Sequence, residues 1–306
     1  MTSDLTASAD FRPRADRNDL DCSSVKTGFV KTGFSSIDDI FGGMGSGSVT
    51  LVVGPPGAGK TAMLCNAALS ALRSGIPVAF FSLENSSDQI RRRLASLLSG
   101  VPLRSIGCGV LDSASREKLE DALQELDGLP LLVDDEPHKA VDQMEKSASL
   151  LREQQAVETC LVIVDYLQLT DPQYRSEMYD KCEDALHLLQ EPGSFATRTG
   201  FPVLVSSQIS RSWSGSSGLL RGWGARAGIR NRHFMLPLAF SGGVEGNACI
   251  DLYIALNEDG SEYDSDQPRK RRALAVSNRI GAAGMVNLEF DPRTLEFRET
   301  DFVAFE

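Results

Sequence analysis

The feature that most constrains this chain is a glycine-rich turn between an apolar segment and a helical one. Leu51–Val53 predicts a buried strand, and the residues from Ala62 onward predict a helix. Between them, Gly54 to Thr61 has the G-x-x-x-x-G-K-T spacing of a phosphate-binding loop. Its glycines let backbone N–H groups turn toward an anion, and the dipole of the following helix favours negative charge there. The segment therefore predicts a nucleoside triphosphate site.

Two side chains of this loop bring chemistry of their own. Lys60 supplies a positive charge for the β- and γ-phosphates, and the Thr61 hydroxyl is a ligand for Mg²⁺. The predicted cofactors are therefore ATP and Mg²⁺. The residues predicted to surround the nucleotide are Gly54, Pro55, Pro56, Gly57, Ala58, Gly59, Lys60, Thr61 and Ala62.

Composition excludes several classes of protein. A net charge of −11 argues against a general nucleic-acid binder, so any such contact needs a local basic patch. The sequence has no apolar run of membrane-spanning length and no secretory signal, so we expect no membrane association. The six cysteines are scattered and the three histidines lack ligand spacing, which favours reduced thiols in a cytoplasm and no metal beyond Mg²⁺.

The chain divides into two parts by composition. Residues 1–27 are polar with scattered charges of both signs, which predicts a flexible N-terminal arm. Residues 28–306 alternate strand and helix patterns and end in closely spaced strands. This order predicts an α/β domain with a mostly parallel sheet covered by helices on both faces, and antiparallel strands added near the C-terminus. We expect no separate folded domain before the phosphate-binding loop.

Individual elements follow from the same patterns. Residues 34–41 predict a short helix with a serine cap, and Ser86–Asp88 predicts the cap of a later one. Further helices are predicted over residues 114–127, 138–155 and 178–190. Strands are predicted over residues 77–83, 130–134, 160–165, 201–206, 250–256, 273–277 and 285–290.

Three predicted strands end in residues suited to ATP hydrolysis. In an open α/β sheet, such groups gather at the carboxyl ends of the strands beside the phosphate-binding loop. Asp165 is the candidate that holds Mg²⁺, Glu84 the candidate base that orients water, and Gln208 the candidate sensor of the γ-phosphate. Each residue taken alone is equally explained as a polar strand end facing solvent.

Six stretches form an ordered set of motifs: Thr32–Asp38, Phe80–Glu84, Val133–Pro137, Val164–Leu169, Ser207–Arg211 and Asn278–Gly281. Their order resembles that of DnaB-type replicative DNA helicases over roughly residues 28 to 298. The resemblance implies a RecA-like P-loop ATPase domain and a homohexameric ring translocating on single-stranded DNA, with ATP between subunits. It also implies a loader or another replication protein as partner.

The resemblance assigns roles residue by residue. It implies that Lys60 and Thr61 contact phosphate and Mg²⁺, that Glu84 is the catalytic carboxylate and that Asp165 is the Walker B acid. Gln208 is implied as γ-phosphate sensor. Two arginines are added: Arg279 as a finger donated by the neighbouring subunit, and Arg93 close to the nucleotide. A solvated helix face explains Arg93 equally well.

The chain departs from the family pattern in four ways, which leave unwinding of duplex DNA open. The helicases carry an N-terminal helical domain that meets primase, where only the short arm is expected here. The loop Gly54–Thr61 looks more like those of the recombinase and clock-protein branches of the superfamily. Ser277 replaces a basic residue two places before Arg279, and Pro192-Gly193 interrupts the helix before Gln208.

A basic segment at residues 211–233 stands out from the acidic background. It holds no acidic residue and both tryptophans, Trp213 and Trp223, which suits phosphate contacts and base stacking on single-stranded nucleic acid. A surface insertion with locally packed tryptophans is the alternative. A second basic cluster, 268–272, suits either DNA or charges that precede and guard a strand. The candidate nucleic-acid residues are Arg211, Arg221, Arg226, Arg230 and Arg232.

Three functions therefore compete. The first is a DNA-dependent ATPase, a helicase or translocase motor that acts as a ring on single-stranded DNA in replication or repair. The second is a regulatory or recombination-accessory ATPase, similar to the RecA and KaiC branches, whose partner is a protein. The third is a nucleotide-binding module with vestigial hydrolysis. The presence of Lys60, Glu84 and Asp165 together disfavours the third.

Overall fold

The computed structural model describes residues 29–54, 57–137, 139–165, 195–208, 252–258, 269–278 and 284–300. Within them lie nine strands, numbered in chain order: β1 Val49–Gly54, β2 Val78–Ser82, β3 Leu131–Asp134, β4 Leu161–Asp165, β5 Val203–Gln208, β6 Leu252–Glu258, β7 Arg269–Asn278, β8 Gly284–Asp291 and β9 Glu296–Glu299. The helices are α1 Ser35–Phe41, α2 Lys60–Arg73, α3 Ser87–Ser99, α4 Leu103–Cys108, α5 Ser113–Asp127, α6 Val141–Gln155 and α7 Phe195–Thr199.

All nine strands join one sheet in the order β3-β2-β4-β5-β1-β6-β7-β8-β9. Every pairing among β1 to β6 is parallel, and β7, β8 and β9 are added antiparallel at one edge. All five residues of β2 and of β4 are buried, which requires cover on both faces of the sheet. The predicted fold class is confirmed.

Helix α2 lies at the centre of the domain. Nine of its residues are buried, so its apolar surface extends around most of the helix rather than along one stripe. It packs against β1, β2, β4, β5 and β9. A helix buried in this way has little freedom to shift, and its first residue, Lys60, is thereby held at a fixed position beside the sheet.

Helix α3 begins as the sequence predicts. Ser86 is its N-cap: the Ser86 hydroxyl accepts from the Gln89 N–H, and the Gln89 side chain accepts from the Ser86 N–H. The Asp135 carboxylate, which follows β3, accepts a further bond from the Ser87 N–H at 2.7 Å. This bond lowers the pKa of Asp135. The start of α3 is therefore fixed to the end of β3.

The predicted serine cap of α1 is wrong. Phe34 occupies the N-cap position and makes no side-chain cap bond. Ser35 and Ser36 lie in the first turn, and their hydroxyls donate instead to the Glu299 carboxylate on β9. The same carboxylate also accepts from the Ser36 N–H at 2.6 Å. A free N–H of the first turn is thus satisfied by a group from a distant strand and not by a serine cap.

Several elements are absent from the sequence-based predictions because they are short. Helices α4 and α7 have six and five residues and β9 has four, too few for a periodic pattern to show. Strand β7 was predicted to start at residue 273 but begins at Arg269, because its backbone pairs with β8 from Arg269↔Phe290 onward. The basic residues 269–272 therefore lie inside the strand, and our interpretation of them as charges preceding it is wrong.

Two expectations on elements lie outside the described residues: the helix at 178–190 and its interruption at Pro192-Gly193. Helix α6 starts at Val141, three residues later than predicted. Among the helices that the structure describes, none combines the length and the apolar character needed to span a bilayer.

Candidate nucleotide-binding site

The carboxyl ends of four neighbouring parallel strands meet at one edge of the sheet. In the registers of these strands, Ser82 pairs with Asp165, Val164 with Val205, and Gly54 with Gln208. The ends of β2, β4, β5 and β1 therefore stand side by side, with the phosphate-binding loop leaving β1. Glu84, Asp165 and Gln208 are brought to this edge, as the strand-end pattern predicted.

The glycines of the loop have the backbone conformation that their spacing predicts. Gly57 and Gly59 have φ angles of 80° and 92°, a region that residues with a Cβ rarely adopt. Ala58 between them is buried in the core, as is Ala62 in the first turn of α2. Only the backbone of these two alanines remains available to a ligand. Pro55 and Pro56 lie outside the described residues.

Asp165 is the most firmly held polar group of the site. Its Oδ2 accepts from the Thr61 hydroxyl at 2.7 Å, and its Oδ1 accepts from the Ser206 hydroxyl at 2.5 Å. Asp165 is 2% exposed and Ser206 is fully buried, so both bonds are shielded from water. A carboxylate held at both oxygens and facing a loop hydroxyl has its position fixed before any ligand binds.

These oxygens suit Mg²⁺. No group of three or more His, Cys, Asp or Glu side chains in the described part of the chain is placed to hold a metal ion. Magnesium in nucleotide sites needs no such cage, because it takes one or two protein oxygens and completes its shell with phosphate and water. The adjoining oxygens of Thr61 and Asp165 fit that mode of binding.

Lys60 lies where its charge is costly without an anion. Burial lowers the pKa of its ammonium group, and the nearby carboxylates of Asp165 and Glu84 partly offset this effect. The three charged residues are therefore close enough to interact. A bound phosphate would add negative charge beside Lys60 and favour its protonated form.

Glu84 follows β2 on a short turn. The Ser82 hydroxyl donates to the Asn85 carbonyl at 2.6 Å and accepts from the Asn85 N–H at 3.3 Å, which closes the turn around Glu84. The Glu84 side chain is exposed. An exposed carboxylate near Lys60 is open to water, as a base that activates water must be.

Arg93 is half-buried on α3. Its Nη1 donates to the Gln89 carbonyl at 3.5 Å, the outer limit of a hydrogen bond. Burial raises the pKa of the Cys65 thiol on α2 to about 12, and the charge of Arg93 acts in the opposite direction. The guanidinium thus lies toward α2. Its contact with nucleotide stays a prediction.

The remaining predicted residues lie beyond what the structure describes. Gln208 ends β5 beside Gly54, and its side chain is not described. Arg279 directly follows the last residue of β7 and lies outside the described residues. The same holds for the candidate nucleic-acid residues Arg211, Arg221, Arg226, Arg230 and Arg232.

Sequence reasoning missed four residues around the loop. The sequence pattern predicts Ser206 only as part of a strand, although a serine in an otherwise apolar strand near a predicted carboxylate is a usable signal. Asn66, a polar residue within an apolar helix, is another such signal. Phe290 and Phe297 look like ordinary core residues in the sequence, and only the structure places them against Gly59.

The family model for the DnaB-like helicase C terminal domain matches residues 29–299. The chain belongs to this family. That match covers the phosphate-binding loop, the strand ends and the antiparallel edge in one continuous stretch. The resemblance noted from the motifs is thereby confirmed.

Curated relatives of this DnaB-like domain are replicative helicases. The chain is 29% identical over 224 residues to a replicative DNA helicase DnaB of Nostoc sp., covering 73% of this chain and 24% of that protein. It is 28% identical over 287 residues to the replicative DNA helicase DnaB of Leifsonia xyli, covering 89% and 57%. The chain thus spans from about a quarter to somewhat over half the length of these relatives.

Two solved structures show the same fold. One, described as an isolated ATPase domain, superposes with a TM-score of 0.74 at 20% identity, covering 92% of this chain and 95% of that one. A DnaB-like replicative helicase, solved in a study of its interactions with primase, gives a TM-score of 0.73 at 20% identity, covering 89% and 62%. The domain is therefore a RecA-like P-loop ATPase fold of the DnaB type.

Proposed function

We propose that this chain is an ATP-hydrolysing motor domain of the DnaB-like class, a helicase or translocase that acts on single-stranded DNA as a ring oligomer in replication or repair. The observation that carries the proposal is Asp165, held between the Thr61 and Ser206 hydroxyls beside Lys60 and Glu84. Membership of the DnaB-like family supports it. We also propose the division into an arm, 1–27, and one ATPase domain, 28–306.

In this proposal the chain's own residues divide the chemistry of hydrolysis. The glycine loop and the first turn of α2 bind the phosphates, and Lys60 neutralises charge on the γ-phosphoryl group. Glu84 orients the attacking water and takes up its proton. Thr61 and Asp165 hold Mg²⁺, which when bound neutralises phosphate charge, and Ser206 keeps the Asp165 carboxylate in place. Gln208 responds to the presence of the γ-phosphate.

The DNA partner is proposed from the segment after Gln208. Residues 211–233 hold five arginines and no acidic residue in a chain whose net charge is −11. Because this segment closely follows the strand that borders the phosphate-binding loop, hydrolysis at that loop can alter its position. The relatives are replicative helicases, and one solved relative was studied with primase, so a primase or loader is proposed as a protein partner.

One experiment separates the proposed function from its alternative. ATP hydrolysis is measured with and without single-stranded DNA, and oligomer size is measured with and without ATP. We expect stimulation by DNA and a ring-sized assembly with ATP. Hydrolysis that DNA does not change would favour the regulatory or recombination-accessory ATPase with a protein partner, toward which the sequence of the loop Gly54–Thr61 points. No hydrolysis by the unmodified chain would contradict both.

The arginine-rich segment is tested by Arg226→Ala combined with Arg230→Ala. We expect weaker binding of single-stranded DNA and a shallower salt dependence, by about one phosphate contact for each arginine. Hydrolysis without DNA should change little. Arg104→Ala with Arg116→Ala is the matched control, because both arginines are exposed on the helical side of the domain. An unaltered DNA affinity would show that DNA binds elsewhere.

The ring is tested through Arg279. We propose that Arg279 completes the neighbouring subunit's site, where an arginine finger typically contributes about 10³–10⁵ in rate. Arg279→Ala should bind ATP and hydrolyse it poorly, with a smaller loss than that range because Ser277 lacks the basic side chain of a complete pair. Mixing it with Lys60→Ala should restore some hydrolysis. A co-assembled mixture that stays inactive would contradict action between subunits.

A further inference from the structure

A second wall of the phosphate-binding loop is made of apolar side chains from the antiparallel edge. Phe290 on β8 and Phe297 on β9 are each 5% exposed, and their ring centroids lie 4.6 Å apart with the planes tilted by 32°. Phe34, just before α1, meets Phe297 edge-to-face at 6.4 Å. Three aromatic rings from distant parts of the chain thus converge beside the start of α2.

Phe297 contacts the loop at its last glycine. A Cβ built on Gly59 would lie 3.0 Å from Phe297 Cζ, 3.4 Å from its Cε2, and 3.7 Å from Phe290 Cζ. The tips of both rings therefore point at the backbone of Gly59. The φ of 92° and this close approach both require glycine at position 59.

The hairpin that carries these rings is fastened to α2 by Asn66. Its Nδ2 donates to the Leu295 carbonyl at 3.0 Å and to the Ala62 carbonyl at 2.7 Å, and its Oδ1 accepts from the Phe297 N–H at 3.2 Å. One amide thus binds the backbone on both sides of residue 296. Leu295, with a φ of 64°, is held in a conformation unusual for a non-glycine residue.

We propose that Phe297 is a positioning residue for nucleotide binding. Its ring supports Gly59 from the side opposite the ligand, so that the loop keeps its phosphate-binding conformation, and Asn66 fixes the ring relative to α2. The proposal rests on the proposed ATP binding and goes beyond it, because Phe297 touches no reacting group. A residue that merely filled the core would affect stability without affecting nucleotide affinity.

The test compares two phenylalanine variants. Phe297→Leu removes the ring beside Gly59. Phe201→Leu removes a ring that is 1% exposed and that likewise has an edge-to-face partner, Phe195 at 6.4 Å, but it lies away from the loop. The Tm without nucleotide, and KM and kcat for ATP, are measured for both variants.

We expect both variants to lower Tm by a similar amount. Phe297→Leu should also raise KM for ATP by about tenfold with kcat changed less than about threefold, since the lost support weakens phosphate contacts in the ground state and the transition state alike. Phe201→Leu should leave KM unchanged. Equal KM values for the two variants and the unmodified chain would overturn the inference.

A second variant covers the case in which Phe297→Leu fails to fold. Phe297→Tyr keeps the ring buried and adds a hydroxyl to Cζ, the atom that points at Gly59, so KM should rise although the aromatic ring remains. An unchanged KM in Phe297→Tyr would overturn the inference. The rise of Tm on adding ATP, measured in the unmodified chain, tests the underlying function. Its absence would overturn the proposed function and this inference together.

Discussion

The phosphate-binding loop lies between two flanks of opposite character. On one flank, Asp165 with Ser206 and Thr61 forms a small buried polar network at the ends of parallel strands. On the other, Phe290 and Phe297 on the antiparallel edge press against Gly59, with Asn66 as their polar tie. The polar flank is made of residues whose chemistry suggests hydrolysis, and the aromatic flank of residues whose chemistry suggests only a core.

The difference shows how one loop is given both reactivity and shape. Carboxylate and hydroxyl oxygens bind cations and orient water, but they cannot hold a glycine in a left-handed conformation. Aromatic rings do so, because they fill the space that the loop would otherwise collapse into. We therefore expect changes on the polar flank to act on kcat, and changes on the aromatic flank to act on KM and Tm.

The largest effect is expected at Lys60, which both flanks serve. Lys60→Ala should lose ATP binding, with a fall of at least about 10²–10³ in kcat/KM, because the loop is left without its point charge. Nucleotide binding is measured by the rise of Tm with ATP. Lys146→Ala, which removes an exposed lysine paired with Asp142 on the same helix, is the control. Retained binding in Lys60→Ala would place the phosphates elsewhere.

Glu84→Gln sharpens the polar side of the comparison. We expect kcat to fall by roughly 10²–10⁴, with KM and Tm close to those of the unmodified chain, because the amide cannot accept the proton from water and the side chain is exposed. Steady-state hydrolysis and thermal unfolding give the three quantities. Glu120→Gln on α5 is the matched exposed control. Full activity in Glu84→Gln would mean that another group is the base.

Ser206→Ala tests whether the polar flank also needs support. Removing the donor to Asp165 Oδ1 should cost about 1–3 kcal/mol in the free energy of unfolding and lower kcat several-fold, since the carboxylate loses one of its two fixed bonds. Ser96→Ala removes another buried hydroxyl, one that donates to the Val101 carbonyl at 2.6 Å far from the loop. A lowered kcat in both variants would mean that only stability was affected.

The smallest effect concerns the outer fastening of the aromatic flank. Burial raises the pKa of Glu299, but its bonds from Ser35 and Ser36 outweigh this and leave the pKa below the ordinary 4.5. Because the folded pKa is the lower one, the stabilisation is complete above pH 4.5 and is lost as pH falls through the folded value.

Glu299→Gln should therefore lower stability at neutral pH by about 0.5–1.5 kcal/mol at most, reduced by solvent screening of this exposed group, and by less in acid. Thermal unfolding at both pH values measures the difference. Glu296→Gln, on the same strand and paired with the exposed Arg298, is the control. An equal loss of Tm at both pH values would show that the charge of Glu299 does not contribute.

Much of the fold was predictable because buried parallel strands have a strong local signature. The runs that became β2 and β4 were placed within one or two residues, since each is apolar throughout and ends in a polar residue. Helix α3 was predicted from its Ser86 cap. The short elements α4, α7 and β9 were missed, because they owe their formation to pairing and packing and not to a pattern of their own.

The sequence by itself determined the chemistry of the polar flank. Lys60, Thr61, Glu84 and Asp165 were named from a loop spacing and from strand ends, because glycine conformations, phosphate charge and sheet geometry impose those residue types at those positions. Only the tertiary structure decided what holds that chemistry in place. Phe297 is separated from Gly59 by most of the chain, and nothing local to either indicates their contact. Such contacts depend on the order of strands in the folded sheet, since β9 reaches α2 only after β6, β7 and β8 have extended the sheet beyond β1.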